Sequence, residues 1–399
     1  MTRDLRRARN GAILTFVLGG LLCGSMTVRL PALSDKLGLS ETSIGVTLLV
    51  WGLGALVTMQ SMRGVMTRVG SRSVLRVGAP LCAAALVLLA FAPTFPLLLA
   101  AAGLFGLAFG AVDVAMNAQG STVERAHGRP LMNGMHAGWC VGAIAAGVVG
   151  TAAIAAGLSV TAHLVLVALA ALPVLVAVSR SYLPDPAPEP AARDGARHRM
   201  PPVVYLLGVI AFCAFMVEGT IADWNGLYLR DTLGAPEAVA ALGYPVFEVG
   251  MLLARLAGDR VRARFGARNM IVLSGLATAA TFAVVITVPS APVAVAAMFL
   301  VGLAVVTVSP VAMSMAGEAT RNPGPAIAQT GAMGYAGLLL GPVAIGFLSD
   351  LSSLRTALGG AVALGVLIAV AARFLPRTGA GTASAAPARS PEPELTLAG

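Results

Sequence analysis

The residues best suited to chemistry are an acid and an amide inside one apolar stretch. Asp113 and Asn117 lie four residues apart in a run that begins near Pro96 and is otherwise mostly Leu, Ala, Gly and Phe. In a helix, this spacing places both side chains on one face. The run is long enough to cross a bilayer, where a carboxylate costs roughly 3 kcal/mol or more unless it faces protein or water. The pattern predicts a protonatable group on a proton or solute pathway; the alternative is a polar pair that only packs helices together.

A histidine at the start of the next apolar stretch is a candidate partner for this acid. His136 lies a few residues inside that stretch. If the two stretches are antiparallel neighbours, His136 comes near Asp113, which lies about 9 Å from the end of its own helix at 1.5 Å per residue. A carboxylate–imidazole pair within a membrane suits a proton relay. We therefore predict proton coupling through Asp113 and His136; the alternative is a lone histidine bonded to a backbone carbonyl.

Polar and aromatic residues in other apolar stretches predict a solute-binding site. Glu218 lies within one stretch, and Tyr244 and Glu248 lie four residues apart in the next. Trp139 follows His136 closely and offers a ring on which a ligand can stack. We predict that Asn117, Trp139, Glu218, Tyr244 and Glu248 contact solute.

Three further residues near the ends of apolar stretches have a more ordinary interpretation. Trp224 and Tyr228 are predicted to anchor the protein at the membrane interface, where aromatic residues are enriched. Arg29 is predicted to extend its charged end into water.

Composition identifies an integral membrane protein. The 399 residues are 57% hydrophobic and 11% charged, whereas a soluble domain carries about 25% charged residues. The net charge is +9, but the basic residues are spread over loops, so nucleic-acid binding is not indicated. The four cysteines stand singly in apolar runs, and no spacing suggests a disulfide framework, a metal site or a cofactor. No nucleotide-binding Gly-x4-Gly-Lys-Ser/Thr motif occurs, which argues against an ATP-driven pump.

The elements that position these residues are predicted to be twelve transmembrane helices in an all-α fold. A span needs about 20 predominantly apolar residues. By that criterion the spans are 11–31, 42–62, 74–92, 96–119, 133–156, 159–179, 203–225, 237–257, 270–288, 293–316, 326–348 and 356–374.

Loop charges predict the orientation of the chain. With the N-terminus in the cytoplasm, the segments on that side hold 23 of the 27 Lys and Arg residues, and the opposite side holds four. Basic residues favour the cytoplasmic side. Both termini are therefore predicted to be cytoplasmic in a multi-pass protein of the bacterial inner membrane.

The chain is predicted to consist of two six-helix bundles. Residues 180–202 are rich in Pro, Ala and charge, which is typical of a flexible linker. The predicted domains are 1–179 and 203–375, followed by a disordered tail at 376–399.

The sequences of the two predicted bundles resemble two copies of one repeat. Residues of uncommon type recur at a constant offset of 196 positions, as from Asp35 to Asp231. Further matched pairs are Gly54 and Gly250, Pro93 and Pro289, Gly106 and Gly302, and Gly128 and Gly324. A parallel repeat of six spans is the arrangement of major facilitator transporters. Glu248 has Gly52 as its counterpart, so this carboxylate breaks the symmetry, which favours a role in solute binding over packing.

The loop after the second span and its copy after the eighth carry Arg-x-Gly-x-Arg. The residues are Arg68, Gly70 and Arg72 in the first copy, and Arg264, Gly266 and Arg268, preceded by Asp259, in the second. Glycine permits a tight turn, and arginine can bond helix C-terminal carbonyls and a neighbouring acid. Both copies resemble the loop signature of the major facilitator superfamily, although Thr67 stands where the first copy would have an acid. They are predicted gating elements; the alternative is that the arginines only enforce orientation.

About 370 residues resemble a bacterial major facilitator transporter of the MosC-like group, which is near the fucose–proton symporters. The resemblance rests on Arg29-Leu-Pro-Ala-Leu, on Asp113-Val-Ala-Met-Asn117, and on the stretch from Glu218 to Asp231. In the fucose permeases span four has a Glu-x-x-x-Asn pattern whose acid takes part in proton coupling; Asp113 and Asn117 are similar to that pattern, which implies the same role for Asp113. One member of the MosC-like group is linked to uptake of an amino-inositol. The acid that those permeases carry in span one has no equivalent here.

These observations predict a secondary transporter rather than an enzyme. We expect a monomer that moves a small polar, sugar- or cyclitol-like solute together with protons, by alternating access between the two bundles. The alternative is a proton-driven antiporter that exports drugs or metabolites.

Overall fold

The computed structural model describes residues 3–128, 131–185, 200–320 and 323–376. Within these ranges the chain forms twelve helices that are long and apolar enough to cross a membrane, which confirms the predicted all-α architecture. They are α1 (Arg3–Val28), α2 (Glu41–Met62), α3 (Arg68–Phe91), α4 (Phe95–His127), α5 (Gly134–Ala155), α6 (Val160–Val178), α7 (Pro202–Thr232), α8 (Glu237–Gly258), α9 (Ala267–Thr287), α10 (Ala291–Glu318), α11 (Ala326–Leu351) and α12 (Leu354–Ala372).

Several helices extend beyond the spans predicted from hydropathy. Helix α4 continues to His127, eight residues past its predicted end, and stops where Gly128 adopts a left-handed conformation with φ of 66°. The Gly128 N–H then bonds the carbonyls of Glu124 and Arg125, which closes the helix. Hydropathy identifies the part of a helix that lies in hydrocarbon, whereas caps decide where the helix ends.

Each bundle contains the same three helix pairs. Helix α1 packs on α5, α2 on α4, and α3 on α6; correspondingly, α7 packs on α11, α8 on α10, and α9 on α12. The chain of the first bundle continues past α6 as Ser181–Asp185, and the face of the molecule with this segment and Arg3 is called the linker face. The opposite face, which carries Arg29 and Glu237, is called the far face.

The predicted internal repeat extends to individual helix contacts. Glycines allow the α2 and α4 backbones, and likewise the α8 and α10 backbones, to touch, because a Cβ there would meet a carbonyl oxygen of the partner helix. The glycine and carbonyl pairs are Gly54 with Gly103, Gly106 with Trp51, Gly250 with Phe299, and Gly302 with Phe247. Each pair in the second bundle lies 196 positions after its counterpart.

The two bundles contact each other closely toward the far face. Gly45 of α2 lies against the Pro342 carbonyl of α11, where a Cβ would come within 3.2 Å of the oxygen. At a second contact between the bundles, Gly147 of α5 lies against the Pro245 ring of α8. Arg230 also joins the bundles, since its Nη1 lies 2.6 Å from Asp35 Oδ2.

The prediction for Arg29, Trp224 and Tyr228 was wrong. Arg29 is only 4% exposed; it donates to the Leu158 carbonyl at 3.0 Å and lies 3.9 Å from Glu237 of the other bundle. Trp224 and Tyr228 are fully buried, and the Tyr228 hydroxyl donates to the Val285 carbonyl. These side chains pack inside the protein because helix ends of the two bundles meet there.

The predicted domain limits stay predictions. Of the predicted linker, residues 186–199 lie outside the described ranges, and of the predicted tail only residue 376 lies within them.

Candidate functional site

Asp113 and Asn117 share one face of α4, as their spacing predicted. The Asn117 Nδ2 donates to the Asp113 backbone carbonyl at 2.9 Å and approaches Asp113 Oδ1 at 3.4 Å. Both residues are half-buried. The Asp113 carboxylate is within electrostatic range of the Tyr335 hydroxyl on α11. An acid of the first bundle and a hydroxyl of the second bundle therefore lie near each other.

Tyr335 is a site residue that the sequence reasoning missed. Its ring stacks on Phe215 of α7, with centroids 5.6 Å apart and planes at 19°. Its hydroxyl is within electrostatic range of both Asp113 and Glu218. A tyrosine in the interior of a predicted span was the available signal, but only the pairing of the bundles reveals what it faces.

No contact between His136 and Asp113 is found among the described residues. Among the described residues, its ring makes an edge contact with Phe16 at 5.0 Å, and Arg255 of α8 donates to its backbone carbonyl at 3.4 Å. The predicted relay from Asp113 to His136 therefore has no direct contact in this conformation and stays a prediction.

Three aromatic rings form a row in the first bundle. Trp139 of α5 lies 5.7 Å from Phe109 of α4, and Phe109 stacks on Trp51 of α2 at 5.7 Å. Trp139 and Trp51 are half-buried. Such rings present flat apolar faces, which suit the apolar side of a ring-shaped solute. The role predicted for Trp139 is compatible with this position.

The polar residues of α8 form a second charged centre. Glu248 is 3% exposed and lies within electrostatic range of Tyr244 on its own helix and of Cys140 on α5. Its Oε2 has no hydrogen-bond partner among the described residues. Arg255 is within electrostatic range of Glu248 and of Glu218 on α7. Glu218 and Glu248 thus lie near one arginine, Arg255, whose Nη1 is 3.1 Å from Cys140 Sγ of the first bundle.

Arg255 was misassigned in the sequence reasoning. The count of 23 basic residues on the cytoplasmic side included Arg255, although this residue falls inside the predicted span 237–257; in the structure it lies within α8 and is half-buried. The number of Lys and Arg residues on the predicted cytoplasmic side therefore falls from 23 to 22, which is still far more than the four on the opposite side. Its distance of seven residues from Glu248 places both on one helix face, and that spacing was the overlooked signal.

The two Arg-x-Gly-x-Arg loops share one backbone conformation. Gly70 has φ of 75° and ψ of 161°, and Gly266 has φ of 77° and ψ of 155°. These are left-handed values that favour glycine over any residue with a Cβ. Arg68 and Arg264 are exposed, and Arg72 is half-buried. The Asp259 side chain lies outside the described part of the structure, so the charge latch predicted there stays a prediction.

A linker carboxylate contacts the first loop, which lacks the usual acid. Asp185 accepts from the Ser71 backbone N–H and from the Ser71 hydroxyl, the latter at 2.6 Å. It also accepts from the Thr122 hydroxyl of α4 at 3.2 Å. In the second copy, Arg268 donates to the Arg373 carbonyl at the end of α12, at 2.6 Å. Both loops are thus tied to the segment that follows the last helix of their own bundle.

The described part of the site holds no arrangement for a metal. Within the ranges that the structure describes, no three His, Cys, Asp or Glu side chains are grouped so that they could hold an ion.

Comparisons with known proteins agree with this architecture. The family model of the Major Facilitator Superfamily matches residues 12–224 and 207–397. An uncharacterized MFS-type transporter of Yersinia pestis is 34% identical over 372 residues, which are 91% of this chain and 94% of the relative. Membrane protein MosC of Rhizobium meliloti is 30% identical over 374 residues, covering 92% of this chain and 89% of MosC. A solved structure of a variant of the nucleoside transporter NupG has a TM-score of 0.74 at 16% identity, covering 92% of this chain and 99% of that one.

Proposed function

Because the chain belongs to the Major Facilitator Superfamily and is of the MosC-like type, we propose that it couples proton movement to transport of a small polar solute. It is a multi-pass membrane protein and a secondary transporter rather than an enzyme. The solute is a sugar- or cyclitol-like compound, and transport occurs by alternating access. The observation that carries this proposal is the half-buried Asp113, held beside Asn117 and within electrostatic range of Tyr335 in the other bundle.

The position of Asp113 supports a role in proton binding. A carboxylate within a membrane is stable either as a neutral acid or next to compensating groups. The described neighbours of Asp113 supply an amide and a hydroxyl, but no salt bridge with it is found among the described residues. A proton is then the species that compensates the charge, and its release depends on which side of the membrane the site can reach.

The surrounding groups support a polar solute with a compact ring. Asn117, Glu218, Tyr244 and Tyr335 supply hydrogen-bonding groups from both bundles. The row formed by Trp51, Phe109 and Trp139 supplies apolar faces, while hydroxyl groups at the ring edge can bond the polar residues.

The proposed orientation places the linker face in the cytoplasm. Excess basic residues lie on this side, so both termini are cytoplasmic and the membrane is the bacterial inner membrane. The protein works as a monomer in the lipid bilayer, since one chain contains both bundles and the site between them.

The test is a solute screen on proteoliposomes with an imposed pH gradient, repeated with Asp113→Asn and with Asp4→Asn as control. Asp4 is exposed in the first turn of α1. We expect a sugar or cyclitol to accumulate in the direction of proton flow, and Asp113→Asn to lose gradient-driven accumulation while it still exchanges solute. Asp4→Asn should behave as the parent. Full dependence on the gradient in Asp113→Asn would contradict the role of Asp113, and solute movement against proton flow would favour the antiporter.

A further inference from the structure

A row of donor side chains occupies one face of α1 at its start on the linker face. The row consists of Arg3, Arg6, Arg7 and Asn10. Their spacing of three or four residues places them on the same side of the helix. All four are exposed, whereas Ala8, on the other side of the helix, is 1% exposed and packs in the core of the protein. The row therefore lies on the outer face of a helix end whose inner face is fixed.

The four side chains of the row line one groove, with a volume of about 410 Å³. Ligand pockets measure roughly 300–1,000 Å³, so the groove has room for a phosphate diester and the atoms next to it. The Asn10 Oδ1 accepts from Arg9 Nη2 at 3.1 Å, which leaves the Asn10 Nδ2 as a donor. Asp4 does not line the groove, and the described residues offer its three arginines no salt bridge. The groove is thus a set of donors whose positive charge is not neutralised from within the described chain.

The groove lies at the level of the lipid headgroups. The apolar stretch of α1 begins at Gly11. Arg7 and Arg3 precede it by four and eight residues, which is about 6 Å and 12 Å along the helix. The headgroup layer is roughly 5–8 Å thick on each side of the hydrocarbon. Arg7 therefore lies within this layer and Arg3 just outside it, at a distance that an arginine side chain spans.

The arrangement of charge favours an anion in the groove. Arg3 stands three and four residues before the next two arginines of the row, and like charges at these spacings repel. The positive end of the α1 dipole adds to that repulsion. A phosphate diester supplies a negative charge together with oxygens that match guanidinium donors. Each basic residue close to an anionic membrane surface strengthens binding by about fivefold.

We propose that the groove formed by Arg3, Arg6, Arg7 and Asn10 binds the headgroup of an anionic phospholipid. The guanidinium groups bind the phosphate oxygens, and the Asn10 amide donates to an oxygen beside the phosphate. A lipid bound in this way fixes the start of α1 at the membrane surface. The inference goes beyond the proposed function, because it requires that α1 crosses the membrane but involves neither protons nor the identity of the solute.

The experiment titrates the delipidated full-length protein with phosphatidylglycerol in a non-ionic detergent. Native mass spectrometry measures the Kd of the first bound lipid. Phosphatidylcholine with the same acyl chains is the reference, since its headgroup has no net charge. The parent should bind phosphatidylglycerol at least about tenfold more tightly than phosphatidylcholine. The groove variant Arg3→Gln/Arg6→Gln/Arg7→Gln should bind the two lipids with Kd values within about threefold of each other.

A matched control removes three arginines elsewhere on the linker face. The control variant is Arg125→Gln/Arg260→Gln/Arg373→Gln, whose arginines are exposed near the ends of α4, α8 and α12. It loses the same number of positive charges as the groove variant, and it should keep the preference for phosphatidylglycerol. Both variants should melt at the temperature of the parent in phosphatidylcholine, because every replaced side chain is exposed.

Three outcomes would overturn the headgroup site. The first is an undiminished preference for phosphatidylglycerol in the groove variant. The second is an equal loss in the control variant, which would assign the preference to diffuse surface charge. The third is loss of the parent's preference in excess inorganic phosphate but not in chloride of equal ionic strength, which would mean that the groove takes a free ion.

A single replacement keeps the test decisive if the groove variant does not fold, as judged by gel filtration and its melting temperature. Arg6→Gln alone should then weaken binding of phosphatidylglycerol by about fivefold and leave the Kd of phosphatidylcholine unchanged. An unchanged Kd for phosphatidylglycerol in Arg6→Gln would contradict the site.

Discussion

At the scale of single residues, Asp113 and Glu248 are both acids within membrane-spanning helices, but they have different partners. Asp113 has an amide on its own helix and a tyrosine on α11. Glu248 has a guanidinium, a thiol and a phenol within reach. In the proposed function, a proton on Asp113 alters the hydrogen-bonding groups that the site offers to solute.

Replacing Trp139 tests the aromatic row. Trp139→Ala removes the ring that contacts Phe109, and an aromatic pair contributes about 0.5–1.5 kcal/mol beyond its buried area. We expect the KM for solute to rise roughly three- to tenfold, with a smaller rise for Trp139→Phe. Transport kinetics of the identified solute check this. Tyr205→Ala is the control, because Tyr205 is 48% exposed on α7; an equal effect there would count against stacking.

Spacing predicted contacts within a helix but not contacts between bundles. The shared face of Asp113 and Asn117 followed from a separation of four residues. Tyr335 and Arg255 were not found, because what they face depends on how α11 and α8 are placed against the first bundle. Arg29 was misjudged for the same reason, since its burial is produced by Leu158 and Glu237 from distant parts of the chain.

At the scale of helices, close backbone approach is confined to particular glycines. In α5, a Cβ at Gly142 would overlap the Val17 carbonyl of α1, whereas a Cβ at Gly134 would meet no atom within 4 Å. The helix thus carries a critical and an uncritical glycine, eight residues apart.

We expect Gly142→Ala to destabilise the protein by about 1–3 kcal/mol, the usual cost of overpacking. Gly134→Ala is the matched control and should be neutral or slightly stabilising, since alanine favours helix over glycine. Thermal melting of both purified variants in detergent makes the comparison. Equal melting temperatures would show that α1 moves away at no measurable cost.

Asp185 is predicted to stabilise the linker face. Asp185→Ala leaves the Ser71 N–H, the Ser71 hydroxyl and the Thr122 hydroxyl without their acceptor. Hydrogen bonds to a charged group contribute about 1.5–3 kcal/mol each, so the melting temperature should fall by several degrees. Asp4→Ala, in the first turn of α1, should leave it unchanged. A melting temperature equal to the parent's would mean that water replaces the carboxylate.

The number of helices was predictable, but their ends were not. Apolar runs of about 20 residues revealed all twelve spans. Helix α4 nevertheless continues to the cap at Gly128, and α7 continues through Tyr228–Thr232 as a π-helix. Capping and tertiary contacts determine where α4 and α7 end, and hydropathy carries no information about either.

At the scale of the whole molecule, the far face is held by charge pairs as well as by packing. The Arg230 side chain is 17% exposed and its partner Asp35 is 67% exposed. An exposed pair contributes roughly 0.2–1 kcal/mol, which corresponds to at most about a fivefold change in population. The pair biases the equilibrium between conformations without fixing it.

We therefore expect Arg230→Ala to increase the fraction of molecules that are open at the far face, by up to about fivefold. Spin labels are attached to cysteines introduced at Ala156 and Ser352, with the native cysteines replaced. Double electron–electron resonance then measures the distance between the labels and so the separation of the bundles. Arg260→Ala, at an exposed position on the linker side, is the control. An unchanged distance distribution in Arg230→Ala would assign closure of the far face to packing alone.

If the bundles rock as the proposed alternating access requires, the touching backbones of α2 and α11 are the pivot. Pro342 meets Gly45 near the far face, and the start of α11 at Ala326 is sixteen residues away, or about 24 Å along the helix. A tilt of roughly 15° about that point displaces the distant end by about 6 Å, close to the width of a six-membered ring. A small rotation at the contact between Gly45 and Pro342 would therefore open a passage for solute at the linker face.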